Sequence, residues 1–180
     1  YYVKGNPSTA PVIGSDGSVY VCDQGSNKIW ITNALGEEKP YYFGGVQPMD
    51  VTPSILRDSL NGDKIYFTSD DSLFCWHEDS TLVYRFQVVG EQTDSTCALA
   101  PNGAAYVGIG GGLYLVSPAG SEVWSKPGYA STQARVCVDN AGYAYAYSGT
   151  EVFCVKPNGD LQWELDLGAD TRYAWPALGP

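Results

Sequence analysis

Acid–base chemistry at neutral pH would have to centre on His77, the only histidine of the chain, in the run Trp76-His77-Glu78-Asp79. A general base works only within hydrogen-bond reach of a nucleophile or a bound proton donor. No nucleophile pattern stands beside His77, and the run reads as a solvated turn on an outer rim. Asp70-Asp71 and Glu78-Asp79 resemble pieces of calcium loops, yet neither continues into the regular oxygen-ligand spacing that a calcium loop needs. The glycine run from Gly108 to Gly112 is followed neither by a helix pattern nor by Lys-Ser/Thr, so it reads as a hairpin turn and not as a phosphate cradle.

The five cysteines, Cys22, Cys75, Cys97, Cys137 and Cys154, lie inside apolar runs such as Leu73-Phe74-Cys75-Trp76 and Val152-Phe153-Cys154-Val155. They form no CxxC pair and have no histidine partners, which leaves a zinc site without clustered ligands. The expectation is of small buried hydrophobes, mostly reduced and shielded, with Cys75 and Cys154 at matching positions of equivalent strands. No residue is assigned as catalytic, metal-binding or cofactor-binding, and no cofactor is expected.

The bulk numbers set further bounds. The net charge of −10 and pI near 4.3, with ten Lys and Arg scattered among twenty carboxylates, exclude a phosphate-binding surface and hence nucleic acid. No apolar run reaches the ~18–20 residues of a membrane-spanning helix. Hydrophobic residues make up 44% and charged residues 17%, enough to build a core. The 14 tyrosines and 21 glycines suit short strands and tight turns, so the chain reads as all-β. The first residue is Tyr1 and the only methionine is Met49, and the sequence says nothing of a leader.

The elements that would position any site are set by a repeat. Four units of about forty residues each hold four short apolar runs, here strands a to d. Strand b carries Val19-Tyr20-Val21, Ile65-Tyr66-Phe67, Ala105-Tyr106-Val107 and Ala144-Tyr145-Ala146 in turn. Asp16-Gly17, Asn61-Gly62, Asn102-Gly103 and Asn140 to Gly142 occupy the a–b turn, where Asn-Gly or Asp-Gly is the strongest short hairpin signal. Three of the four c–d turns carry glycine, and an aromatic follows: Tyr41, Tyr84, Trp124 and Trp163. Four-stranded units at this period predict β-propeller blades over 11–45, 53–90, 97–128 and 135–168, in a single domain or propeller segment spanning 1–180.

Two segments carry a family resemblance: Leu113-Tyr-Leu-Val-Ser-Pro-Ala-Gly-Ser-Glu-Val-Trp124 and Val152-Phe-Cys-Val-Lys-Pro-Asn-Gly-Asp-Leu-Gln-Trp163. They resemble the docking element of the quinoprotein-like (PQQ-like) β-propeller repeats, in which a tryptophan packs between blades. The resemblance implies that Trp124 and Trp163 are buried between blades. It also implies that Tyr41 and Tyr84 take the same place, with their hydroxyls reaching a partner or solvent. Quinone-dependent enzymes of that family hold their cofactor against a vicinal Cys-Cys pair and carry Thr-Gly before the tryptophan. This chain has neither, so the resemblance points to a non-catalytic member.

In a propeller the d-to-a connections converge on one mouth of the channel, where polar groups can meet a ligand. The candidates there are Gln47, Asp50, Glu91, Asp94, Gln133, Arg135, Asp170 and Arg172. The ends add a further expectation. Residues 1–5 match a d strand and 175–180 the start of an a strand, a surplus with which a simple ring does not close. The chain would then be an excerpt of a larger propeller, a protomer whose spare strands complete blades in other copies, or a four-bladed ring with those strands laid over it. The reading is a non-enzymatic propeller scaffold for a protein partner or for further copies of itself, outside the cell or at its envelope, without membrane insertion. The alternatives are a strand-complemented oligomer or filament, and a fragment of a quinone- or calcium-dependent dehydrogenase.

Overall fold

Alternating apolar residues bounded by glycine turns do form strands throughout the computed structural model, which describes residues 9–23, 28–42, 51–58, 60–79 and 81–169. They make four antiparallel sheets of four strands, each in simple meander order. The first sheet holds β1 (Val12–Ile13), β2 (Val19–Asp23), β3 (Lys28–Thr32) and β4 (Glu38–Tyr42). The second holds β5 (Ser54–Leu56), β6 (Lys64–Ser69), β7 (Ser72–His77) and β8 (Leu82–Gln87). The third holds β9 (Ala98–Leu99), β10 (Ala105–Ile109), β11 (Gly112–Val116) and β12 (Glu122–Pro127). The fourth holds β13 (Cys137–Val138), β14 (Ala144–Ser148), β15 (Glu151–Val155) and β16 (Leu161–Asp166). No helix occurs among the described residues. The spare strands expected at 1–5 and 175–180 lie outside the described residues.

The second and third sheets have two apolar faces, because side chains alternate along a strand and both of their faces meet another sheet. Tyr20, Cys22, Ile29 and Ile31 of the first sheet pack against Ile65, Phe67 and Phe74 of the second. The other face of the second sheet, with Tyr66, Leu73, Cys75 and Tyr84, packs against Ala105, Val107, Ile109 and Val116. Tyr106, Leu113 and Leu115 of the third then meet Ala144, Ala146, Phe153 and Val155 of the fourth. The inner strands touch in sequence, β1 to β5, β5 to β9 and β9 to β13. The result is an arc of blades stacked face to face around a common axis.

Registers repeat from blade to blade. Tyr20, Tyr66, Tyr106 and Tyr145 of the b strands stand opposite Ile31, Cys75, Leu115 and Cys154 of the c strands. Those c residues in turn face Tyr84, Trp124 and Trp163 in the last three blades, each next to a bulge. The first blade differs. It lacks that bulge, Lys39 stands opposite Ile31, and Tyr41 stands two positions away, opposite Ile29. Tyr41 therefore does not hold the position of Trp124. The extra residue that a bulge inserts sets the aromatic's register in the other three blades, and Pro40 occupies the corresponding stretch here.

Of the aromatics expected between blades, Tyr84 is buried and Trp124 is half-buried, both at blade seams. Trp163 is 42% exposed, against the expectation of burial. Its ring lies over Tyr145 of its own sheet, with centroids 6.0 Å apart. No further blade covers it among the described residues. Tyr84 departs from expectation in another way: its hydroxyl is buried with no hydrogen-bond partner among the described residues, as is that of Tyr66, whose ring meets it edge-on at 6.3 Å. Burial pushes both phenols far above their usual range, so both stay neutral.

All five cysteines are free, and all but the half-buried Cys137 are fully buried. Burial pushes the Cys97 thiol up to about 12 and raises Cys22 further. Since the thiolate is the reactive form, a thiol reagent at neutral pH should modify Cys137 alone in the native protein and the other four only after unfolding. Rapid native labelling of two or more thiols, or disulfides found by intact mass, would contradict this packing.

Candidate functional site: the mouth formed by the d-to-a connections

The connection from β8 to β9 is tied down along its length. The amides of Val88 and Thr93 donate to the carbonyls of Asp71 and Asp70 in the b–c turn of the same blade (2.9 and 2.7 Å). Thr93 Oγ1 donates to the Gly108 carbonyl at 2.6 Å, and Ser95 Oγ to the Ala134 carbonyl at 2.7 Å. Both side chains are buried. Thr68 Oγ1 donates to the Ser95 carbonyl at 2.8 Å. Short hydroxyl side chains thus lace the second, third and fourth blades together where they converge. Buried backbone carbonyls near the axis have no ladder partner, and these hydroxyls satisfy them.

Among the predicted site residues, Asp94 and Arg135 are brought together. Arg135 Nη1 donates to the Asp94 carbonyl at 2.8 Å, the Asp94 amide donates to the Thr132 carbonyl at 2.7 Å, and Thr96 bridges Arg135 in parallel register. The contact uses the Asp94 backbone, so the two residues join adjacent connections. Gln133 contributes its carbonyl to the Tyr147 hydroxyl at 2.9 Å. Glu91 is exposed, and its carboxylate lies over Gly110, where any Cβ would collide with it. Gln47, Asp50, Asp170 and Arg172 lie outside the described residues.

On the rim of the same mouth, Asp71 accepts from Ser72 Oγ at 2.6 Å and Gln87 Nε2 at 2.7 Å, and pairs with Arg85 at 3.1 Å. Those donors, led by Gln87, hold its carboxyl below the usual range. Asp71 is therefore a rim tie. No cluster of three or more His, Cys, Asp and Glu side chains is placed to hold a metal ion among the described residues.

Two clefts open at the opposite end, among the a–b and c–d turns. One of about 260 Å³ is lined by Asn102, Tyr106, Asn140 and Pro157, and the Tyr106 hydroxyl closes it by donating to the Gly142 carbonyl at 2.8 Å. The other, of about 370 Å³, is lined by Asp16, Asp58 and Glu78. Behind it Asp63 is fully buried and accepts from the Ser15 and Asp58 amides at 2.6 and 3.0 Å. Asp58 caps its own turn, and hydrogen bonds from the Asn61 side chain and the amides of Asn61 and Leu60 lower its pKa. These carboxylates serve turn geometry. Sequence reading passed over Asp63, although Asn61-Gly62-Asp63 at the head of a strand marks a turn-capping acid.

No protein-family model matches the chain, and no curated protein matches it. Solved structures do. The chain is similar to a catalytically inactive virginiamycin B lyase from Staphylococcus aureus with quinupristin, at TM-score 0.70 and 14% identity, over 92% of this chain and 58% of that one. It is similar to the Pan2 WD40 domain of Neurospora crassa, at TM-score 0.64 and 11% identity, over 92% and 51%. The fold is a β-propeller. BBS1N in complex with ARL6DN is also similar, at TM-score 0.68 and 15% identity, over 87% and 53%. At these identities the likeness is one of fold. The chain spans little more than half the length of these structures.

Proposed function

We propose that the chain is a binding scaffold of non-catalytic type, and that the mouth of the d-to-a connections takes a basic segment of a protein partner. The observation that carries this reading is the lacing of that mouth. Thr93, Ser95 and the Arg135–Asp94 tie hold the connections in place before any partner arrives. Preorganised loops lose little entropy on binding. Glu91, Gln92 and Thr132 stand exposed above them, and a chain of net charge −10 steers cationic partners toward its surface. A solved propeller of similar fold is recorded in complex with another protein. Gly159 in the fourth blade's c–d turn lies under Trp124 of the third, which supports kinship with the PQQ-like repeats, and the missing Cys-Cys pair supports a non-catalytic member.

Selection from a displayed library of random peptides tests the reading. Enriched peptides should be rich in Lys and Arg, and Glu91→Lys should weaken them about tenfold by losing one charge-assisted contact. Peptides that ignore Glu91→Lys and map to the blade faces, or no enrichment at all, would overturn it.

A further inference from the structure

The second and third seams are built from the same parts, and one exchange of residue between them opens a cleft. At the second seam the Tyr84 ring sits in a socket made by Gly120 of the third blade's c–d turn, where an added Cβ would come within 2.5 Å of Tyr84 Cγ. At the third seam Trp124 sits in the same way on Gly159, with ring atoms 3.0 Å from such a Cβ. Both c–d turns also carry a proline, Pro118 and Pro157, which lies within 4 Å of a Cβ built on the a–b turn glycine of the same blade, Gly103 and Gly142 respectively.

The exchange is at the end of strand a. Ser54 stands opposite Tyr66 and Ala98 opposite Tyr106, so Leu56 and Ala100, each two residues further on, hold the same position in their blades. At the second seam Leu56 reaches across to the third blade, its Cδ2 3.2 Å from a Cβ built on Gly103. It packs there against the core that contains Tyr66 and Val116. At the third seam the corresponding residues are Ala100, Gly142 and Pro157. A Cβ built on Gly142 meets Pro157 alone, because the short Ala100 side chain does not reach it. These three residues, with Ala104, Tyr106 and Leu115, line the cleft of about 260 Å³. The isobutyl group that the chain supplies at the second seam is absent from the sequence at the third, and the cleft stands in its place. At the first seam the position is Gly14, and there the Asp63 carboxylate takes up the room, with Oδ2 2.7 Å from a Cβ on that glycine. The third-seam cleft has an amide rim. Asn102 uses Oδ1 to accept from the Ala104 amide at 3.1 Å, which leaves its Nδ2 group to donate, and the exposed Asn140 lines the same opening.

We propose that the third-seam cleft binds a small branched aliphatic group carried on an amide, the chemistry of a leucine residue. Drug-sized ligands take pockets of ~300–1,000 Å³, so a cleft of about 260 Å³ suits a group the size of one side chain. Leu56 shows which shape fits, since it packs among the equivalent residues one seam earlier. Burial of the branched carbons against Ala100, Ala104 and Leu115 supplies the attraction. The two asparagine carboxamides offer donors and acceptors that match an amide group. The Tyr106 hydroxyl, tied to the Gly142 carbonyl at 2.8 Å, fixes the wall before the ligand arrives. The cleft lies at the end opposite the mouth, and the inference stands apart from the basic-segment reading.

Amide NMR of the purified 180-residue chain, titrated with N-acetyl-leucinamide, tests it, with circular dichroism confirming that each variant is folded. The amides of Ala104, Leu115 and Gly142 should shift together and saturate with a Kd of about 1 mM, which a ligand of this size can reach. N-acetyl-glycinamide lacks the isobutyl group and should bind about tenfold more weakly, or worse. Ala100→Leu places the second seam's side chain in the third and should abolish the saturable shifts. Leu56→Ala opens the matching place at the second seam and should add a second set of shifting amides around Gly103. A capped tripeptide with leucine at its centre separates the two sources of this chemistry. Tighter binding than N-acetyl-leucinamide assigns the group to a peptide chain, and equal or weaker binding assigns it to a free small molecule; either supports the site. Shifts that never saturate, that fall away from the cleft, or that are equal for the glycine amide would each overturn the proposal. So would shifts that persist in folded Ala100→Leu, or a folded Leu56→Ala without a second site.

Discussion

Gly120→Ala should destabilise the chain by about 3 kcal/mol, the sum of left-handed backbone strain of ~1–2 and overpacking of ~1–3 kcal/mol. The new methyl group would meet Tyr84 Cγ and Cβ at 2.5 and 2.6 Å, and the backbone there has φ +83°. Tyr84 has nowhere to go, since its ring is held by Tyr66 and packed among Cys75, Cys97 and Val116. In a domain of this size, such a loss lowers the melting temperature by roughly 6–12 °C. Gly90→Ala is the control. Its φ is +84°, yet nothing lies within 4 Å of the added Cβ, so it carries the backbone strain alone. Urea titration of both variants isolates the socket as their difference, about 2 kcal/mol by the overpacking range. Equal losses would mean that the glycine serves only its turn.

Trp124→Ala should cost about 2–4 kcal/mol, because it removes a half-buried ring from the third seam. The ring meets Tyr106 at 5.7 Å, covers Gly159, and fixes the Pro157 carbonyl through its N–H. Trp124→Phe keeps much of the packing and drops the hydrogen bond, a loss of about 1 kcal/mol. Trp163→Ala is the informative comparison. It should cost less than half as much as Trp124→Ala, since among the described residues its ring leans on Tyr145 of its own sheet and is 42% exposed. Equal costs would contradict the difference in burial between the two tryptophans.

The blade pattern was legible because its signals are local. Asn-Gly and Asp-Gly turns, period-two apolar runs and the recurring strand-b tyrosine can each be read within ten residues, and the sheets follow them. The failures involve partners distant in sequence. Trp163 has the same local motif as Trp124, and only the presence of a neighbouring blade separates a half-buried ring from one that is 42% exposed. Tyr41 was misplaced because the bulge that sets the aromatic's register leaves no mark in composition, and the first blade lacks it. At the mouth, the polar residues of the connections were legible as a group. What holds them was not: Thr93, Ser95 and Thr68 are ordinary loop and strand residues until their acceptors on the next connection or strand come into view.

The central claim is that the second and third seams are each an aromatic of one blade seated on the turn glycine of the next, Tyr84 on Gly120 and Trp124 on Gly159, and proton NMR of the glycine α-protons tests it most directly. A proton over the face of an aromatic ring is shifted strongly upfield, and one beside open solvent is not. Gly120 and Gly159 should both show upfield α-protons with cross-relaxation to Tyr84 and Trp124 respectively, while Gly90, with open space around it, should not. Ordinary α-proton shifts at Gly120 and Gly159, without cross-relaxation to those rings, would contradict the account of how the blades are joined.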